Sequence, residues 1–331
     1  MTGHLDFNPN ETPPQELKDV FKSWKGQLTP ERDRHLNENV VNMPHLDGIP
    51  HHRLAEIFDR FSVSDVANKP DITEQVALDS SISVYNSQYI PGLLILPSLL
   101  PPTTQKTLLS HLLHRDLSTP NHKTNLHLHY DVNYPDRQAS FFSIDPSTIT
   151  FQPKDPVIHP PLTAKAVLEK KLRWTTLGGQ YDWTNKVYPA EEPPKFPSDI
   201  AGLLRGLFPD MEPEAAIVNL YSPGDTLSLH RDVSEEVDRG LVSVSLGCDA
   251  IFIIGLQDKT SGATQYEVLR LKSGDAVFMS GQSRFAWHGV PKIIPGTCPD
   301  YLSDWPGKEF PEWKNWMSNK RINLNVRQMR E

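Results

Sequence analysis

From residue 214 onward the chain breaks into short strand-forming runs separated by Gly, Asp and Pro: 214–221, 227–232, 241–247, 250–256, 265–271, 275–279, 284–290 and 321–328. Many short strands without a βαβ rhythm argue against a doubly wound parallel sheet, whose strands need long crossovers. They predict a two-sheet antiparallel jelly roll, a double-stranded β-helix. Side chains alternate between the faces of a strand, and here the alternation carries chemistry. Arg321, Asn323, Asn325 and Arg327 share one face of the last run, and Ile322, Leu324 and Val326 the other. Asn219 and Tyr221 stand opposite Val218 and Leu220, and His230 and Asp232 point the same way. A solvated outer sheet face gives this pattern in any single strand. Three strands with metal-type and anion-type residues on the polar face favour a polar pocket inside the sandwich.

Upstream the pattern changes. Residues 1–84 are polar, without repeats, and read as an N-terminal extension, partly helical or loop, to a main domain over 85–331. One helix is expected there, with Thr12 as cap, Pro13 and Pro14 at its start, Leu17, Val20, Phe21 and Trp24 on one face and Gly26 as stop. Thr29 to Ser80 reads as loop with a short helix near Leu54–Phe61. Tyr89 to Leu96 reads as a buried strand, and Leu108, Leu109, Leu112 and Leu113 fall at helical spacing. The polar stretch 115–162 leads to a basic helix around Ala164–Leu172. Ser198 or Asp199 then caps a helix whose apolar face is Ile200, Leu203, Leu204 and Leu207. These helices would cover one outer face, giving a mainly β protein with flanking helices (α+β).

A chain of 331 residues can bury a full core for one large domain with an extension. Its net charge of -8 does not favour polyanions, so nucleic-acid binding needs a local basic groove and weakens steeply with salt. The two cysteines, Cys248 and Cys298, suit a reducing compartment, with Cys248 a small core residue. No apolar run reaches the ~18 residues of a membrane span. The first residues resemble neither a signal peptide nor a mitochondrial transit segment, so cytoplasm and/or nucleus is expected.

The constellation that stands out is His230-Arg231-Asp232 followed by a lone His288. Two His and one carboxylate hold one face of a ferrous ion and leave the opposite positions open. His-x-Asp alone also occurs as a surface turn, and His288 beside Trp287 also suits a hydrogen-bonded core histidine. The arginine-bearing last strand raises the whole set, because a chelated dicarboxylate needs a bidentate partner at its distal end. His127-Leu128-His129 and His51-His52 lack a third ligand and are expected to be structural or exposed. Trp174, Tyr181, Trp183 and Tyr188 lie near Lys170, Lys171 and Arg173, where they could stack a base and touch phosphate. A hydrophobic plug over the barrel explains the same composition. A second basic stretch, Lys308 to Arg330, lines the same groove or forms an ordinary solvated surface.

Asn219-Leu220-Tyr221, His230-Arg231-Asp232, His288 and Arg321-Ile322-Asn323-Leu324-Asn325-Val326-Arg327 together resemble the AlkB family of iron- and 2-oxoglutarate-dependent dioxygenases. Ser243-Val244-Ser245-Leu246-Gly247, Gly281-Gln282-Ser283-Arg284 and Arg173-Trp174-Thr175-Thr176, with Tyr181 following, also look like family segments. The resemblance covers about 85–331 and is greatest to the eukaryotic AlkB homologue 1 group. Ser234 stands where bacterial members carry an acidic, base-contacting residue, and a long insertion with Trp305, Trp313 and Trp316 separates His288 from Arg321. The resemblance implies Fe(II) bound by His230, Asp232 and His288, with 2-oxoglutarate and O2 as cosubstrates. It implies Arg321 on the distal carboxylate of 2-oxoglutarate, helped by Tyr221 and Asn323, with Asn219 and Arg327 near the chelating end. Trp174 would stack on the substrate base opposite His230, Tyr181 would close the pocket, and Ser234 would lie on the substrate side. The implied activity is oxidative demethylation of N-methylated bases in tRNA, other RNA or DNA, single-stranded or flipped, by a monomer, releasing formaldehyde and succinate. Two other readings stay open: a hydroxylase or demethylase of a protein side chain such as methyl-lysine, and a non-catalytic nucleic-acid-binding module.

Overall fold

The structure is a computed structural model that describes residues 11–41, 43–63, 82–136, 139–182, 187–189, 191–233, 237–258 and 261–330. Its first strands are β1 (His45–Ile49), β2 (Ile82–Asn86), β3 (Leu93–Leu96), β4 (Tyr130–Val132), β5 (Ile149–Pro153), β6 (Leu162–Thr163) and β7 (Trp174–Gly178). Then come β8 (Ala215–Tyr221), β9 (Leu227–His230), β10 (Leu241–Gly247), β11 (Ala250–Gln257), β12 (Thr264–Leu271), β13 (Ala276–Met279), β14 (Trp287–Ile293) and β15 (Arg321–Arg327). The large sheet has the order β1-β2-β3-β13-β10-β15-β8-β7, and the small sheet β12-β11-β14-β9. From β8 on, the chain passes back and forth between the two sheets through antiparallel neighbours, which is the expected double-stranded β-helix. Strands β4, β5 and β6 form a separate sheet.

The helices are α1 (Gln15–Trp24), α2 (Pro30–Val41), α3 (His51–Val63), α4 (Pro102–Ser110), α5 (Ala164–Ala166, extended by a π-turn over Val167–Lys171) and α6 (Ser198–Leu207). They cover both outer faces rather than one. Leu54 of α3, Leu108 of α4 and Leu203 and Leu204 of α6 pack in one core with Val218, Leu220, Ile322, Leu324 and Val326 of the large sheet. Leu17 and Phe21 of α1 and Leu36 of α2 pack instead with Ile251, Ile253, Val268 and Trp287 of the small sheet. The cause lies in β11, whose Ile251 and Ile253 share a face that would otherwise be wet. Gly255 completes this seat, since a Cβ there would lie 2.7 Å from Leu17 Cδ2. Leu17→Ala should therefore lower the unfolding free energy by about 2–5 kcal/mol. A urea midpoint equal to that of the wild type would show that α1 is not anchored in this way.

The alternation in β15 resolves clearly. Ile322, Leu324 and Val326 are 0% exposed, yet Arg321, Asn323 and Arg327 are nearly as buried, at 1%, 6% and 3%. Neither face is a solvated surface, so the polar face lines the interior of the sandwich.

Several boundaries differ from expectation. The helix α2 fills part of the stretch read as loop, anchored by Leu36 and by the Arg32 N–H on Thr29 Oγ1. The run expected at 284–290 begins at Trp287, because Gly281–Phe285 form a 3₁₀ turn. Pro197 holds the cap position of α6; Asp199 instead engages Arg115 and His111. Strand β2 pairs with β3 at Tyr85↔Ile95, so residues before 85 add strands to the edge of the large sheet. Among the described residues, no helix is long and apolar enough to cross a membrane.

Candidate metal centre

Strands β9 and β14 run antiparallel with His230 directly opposite His288, and the two rings lie 4.4 Å apart between centroids. Each imidazole is oriented by its own strand: His230 Nδ1 meets the Ser228 carbonyl at 2.9 Å, and His288 Nδ1 the Ala286 carbonyl at 3.0 Å. A carbonyl only accepts, so each Nδ1 carries the proton and donates it. Each Nε2 then keeps its lone pair for a metal. Asp232 Oδ1 stands 3.8 Å from His230 Nε2, and Oδ2 stands 3.8 Å from His288 Nε2. These separations are too long for hydrogen bonds. The three ligand atoms face a common point, all within 4.8 Å of one another. Among the described residues this is the grouping of His, Cys, Asp and Glu that can hold an ion. Burial pulls the pKa of His288 down to about 4, so its ring is neutral near pH 7 and able to ligate. Burial opposes ionisation of Asp232, but the Arg327 guanidinium, 3.3 Å away, outweighs it and holds the carboxyl well below its usual range. Two imidazoles presenting Nε2 and one carboxylate fit a ferrous ion in chemistry and number.

The triad opens into a cavity of about 440 Å³ that Asn219, Tyr221, Arg321, Asn323 and Arg327 also line. The register of β8 against β15 brings these together, pairing Arg321 with Tyr221 and Asn323 with Asn219. Arg321 donates from Nη2 to Ser245 Oγ at 3.0 Å and lies 5.3 Å from the Tyr221 ring centroid. It forms no ion pair among the described residues, and burial lowers its pKa. A guanidinium buried without a carboxylate is costly. One facing a cavity therefore fits the distal end of a dicarboxylate.

The sequence matches the 2OG-Fe(II) oxygenase superfamily over residues 92–327. The chain belongs to that superfamily. Its relatives place it in the AlkB homologue 1 group. It is 56% identical over 279 residues, 77% of this chain and 79% of the other, to the N6-methyladenosine RNA demethylase ALKB1 of Pyricularia oryzae. It is 57% identical over 223 residues, 62% of this chain and 100% of the other, to the N6-methyladenosine RNA demethylase ALKBH of Cryphonectria parasitica. The tRNA demethylase abh1 of Schizosaccharomyces pombe is 40% identical over 257 residues, 75% of this chain and 82% of that one. An oxygenase of this superfamily works with Fe(II), 2-oxoglutarate and O2, and the triad and Arg321 fit the first two.

The oxygenase also braces its site with residues whose roles the motifs alone do not reveal. Arg284 is 1% exposed; its Nη1 donates to the Asp232 carbonyl at 2.7 Å and its Nε to the Arg239 carbonyl at 3.0 Å. It thus ties both ends of the loop that carries Asp232. The turn presenting it is clamped to the start of β3, where Gly92 has φ +86° and a Cβ would come within 2.0 Å of the Ser280 carbonyl oxygen. Ser243 and Ser245 on β10 accept from Asn323 and Arg321, and Asn325 Nδ2 approaches Asp232 Oδ2 at 3.4 Å. Residues 243–247 and 281–284 stand out in the sequence only as family-like segments; the bracing roles of Ser243, Ser245 and Arg284 follow from the fold. Arg284→Gln should weaken iron binding about 10–100-fold, the usual effect of losing an outer-shell partner. Anaerobic metal titration checks this, and wild-type affinity would make Arg284 a purely structural residue.

Of the expected substrate residues, Tyr181 lines the cavity and meets Tyr188 edge-on at 5.2 Å. Trp174 is half-buried on β7 opposite Asn219 but does not itself line the cavity. Ser234 and Trp183 lie outside the described residues. His127 is structural: its Nδ1 accepts from the Thr124 N–H at 2.9 Å and its Nε2 lies 3.0 Å from the Tyr134 hydroxyl. His51 and His52 open α3, far in role from any ligand set.

Proposed function

We propose that this oxygenase removes methyl groups oxidatively from N-methylated bases of RNA or DNA, with residues 85–331 as the catalytic unit, residues 1–84 as an N-terminal extension, and a monomer as the working form. The observation that carries the reading is one cavity shared by a metal-competent triad, a buried guanidinium and an aromatic wall. In this reading His230, Asp232 and His288 hold iron. Arg321, with Tyr221 and Asn323, anchors the distal carboxylate of 2-oxoglutarate, and Asn219 and Arg327 lie near its chelating end. When bound, iron and 2-oxoglutarate supply the oxidising power to hydroxylate a methyl group with O2. The hydroxymethyl product collapses to formaldehyde and the unmodified base, while 2-oxoglutarate leaves as succinate and CO2. The chain's own residues position that methyl carbon and exclude water. Trp174 stacks on the base against the ring of His230, and Tyr181 closes the pocket. A base paired in a duplex cannot reach the triad, so a flipped or single-stranded base is the substrate. The activities for which the relatives are named, on N6-methyladenosine RNA and on tRNA, support an RNA substrate; cytoplasm or nucleus is the compartment proposed.

The test is formaldehyde and succinate release with Fe(II) and 2-oxoglutarate on a panel of methylated tRNA, RNA and DNA strands. Methyl-lysine peptides form a parallel arm, and His230→Ala is the control. Triad-dependent formaldehyde from one nucleic-acid class is expected. Turnover of the peptides alone would replace the reading with a protein demethylase. Strand binding without any turnover would leave a binding module.

A further inference from the structure

Two basic stretches remain outside the site, and the fold brings them together. Lys170 ends the π-turn after α5, Arg173 precedes β7, Lys314 lies in the insertion between β14 and β15, and Lys320 precedes β15. All four line one open cleft of about 630 Å³, together with Ser222 and Asp225. Lys320 forms its floor: the amine donates to Ser222 Oγ at 2.7 Å and to the Glu169 carbonyl, and lies 5.2 Å from the Trp316 ring centroid. Of the acids here, Asp225 is engaged by Arg173, and Glu169 lies 3.9 Å from Lys165. Glu312 is exposed. Lys170 and Lys314 are exposed and enter no ion pair among the described residues.

The cleft is placed by the same strands as the site. Arg173, Ser222 and Lys320 are next in the chain to Trp174, Tyr221 and Arg321, on β7, β8 and β15, which are neighbours in the large sheet. In a chain of net charge -8, cations gathered from separate segments matter locally rather than through the overall field. We propose that this cleft seats the sugar–phosphate backbone beside the methylated base, with Lys170 and Lys314 contacting phosphates. The inference rests on the demethylase reading, because the cleft adjoins the proposed stacking residue Trp174 in the chain through Arg173. Such contacts add affinity and salt dependence without reading sequence.

The test measures binding of single-stranded RNA, and of DNA of the same sequence, by the full chain as salt is raised. Wild type is compared with Lys170→Ala, Lys314→Ala and the double variant, and with Lys106→Ala as a surface lysine outside the cleft. Each cleft substitution should flatten the slope of log affinity against log salt by about 0.7, the single-strand value per phosphate contact, and Lys106→Ala should not. On a methylated strand the loss should fall on KM more than on kcat. A double variant with the wild-type slope on both RNA and DNA would overturn the proposal. A change on one of them alone would name the strand the cleft accepts. Because binding is read on unmethylated strands, the slope decides the cleft even if no methylated substrate turns over, and failed turnover alone would count against the demethylase reading.

Discussion

Asp232→Ala is expected to abolish turnover and to strip the protein of iron. Its carboxylate stands 3.8 Å from both His230 Nε2 and His288 Nε2, so its loss opens one side of the set. Outer-shell changes already cost about 10–100-fold in metal affinity, and a lost ligand should exceed the upper end of that range. The same substitution acts on the metal-free fold. Asp232 is the counter-charge to Arg327, which is 3% exposed and 3.3 Å away, and removing one partner of a buried pair costs about 3–5 kcal/mol. Two readouts should therefore fall together: anaerobic Fe(II) or Mn(II) affinity, and the urea midpoint of the apoprotein. His230→Ala separates them. Its ring is partly exposed and makes its hydrogen bond only to the Ser228 carbonyl among the described residues, so iron should be lost with a much smaller change in midpoint. Retention of iron by Asp232→Ala at wild-type affinity would dismiss the triad.

The parts of this fold that were legible in the sequence are those where one physical rule acts alone. The strands of the jelly roll follow from period-2 alternation between turn residues, and β15 shows why that signal was strong: both of its faces are buried, one against helices and one around a cavity. The triad was legible because its members are chemically distinctive, and the pairing of β9 with β14 then brought them together. Elements set by tertiary contacts were not legible. Strand β5 has the burial order exposed, buried, buried, exposed, intermediate, which is no alternation at all, and β1 carries Asp47 and Gly48 within five residues. Helix α2 has a polar sequence held by Leu36 against the small sheet, a contact no local pattern announces. The role of Arg284, visible in the sequence only as part of a family-like segment, stayed hidden for a related reason. A charged residue in a polar turn reads as solvated, and only the fold shows it bridging the carbonyls of Asp232 and Arg239.

Arg321→Met should move binding and stability in opposite directions. In the wild type the guanidinium is fully buried, hydrogen-bonded to Ser245 and without an ion pair among the described residues. If it receives the distal carboxylate of 2-oxoglutarate, removing it leaves that carboxylate buried and unpaired. Truncating one side of a buried charge pair costs about 2–5 kcal/mol, or about 30- to several-thousandfold in 2-oxoglutarate affinity. The apoprotein, by contrast, should gain stability, because a thioether of similar volume needs no desolvation of charge. Iron affinity should hardly change, since Arg321 contacts Tyr221 and Ser245 rather than the triad. Arg321→Lys should fall between, keeping the charge but losing the planar fork that matches a carboxylate. Anaerobic 2-oxoglutarate titration of the iron-loaded protein and urea unfolding of the apoprotein check the two signs. A 2-oxoglutarate affinity within a few-fold of wild type would move the cosubstrate's anchor elsewhere. Loss of both affinity and apoprotein stability would instead make Arg321 a structural charge held by Ser245 and Tyr221.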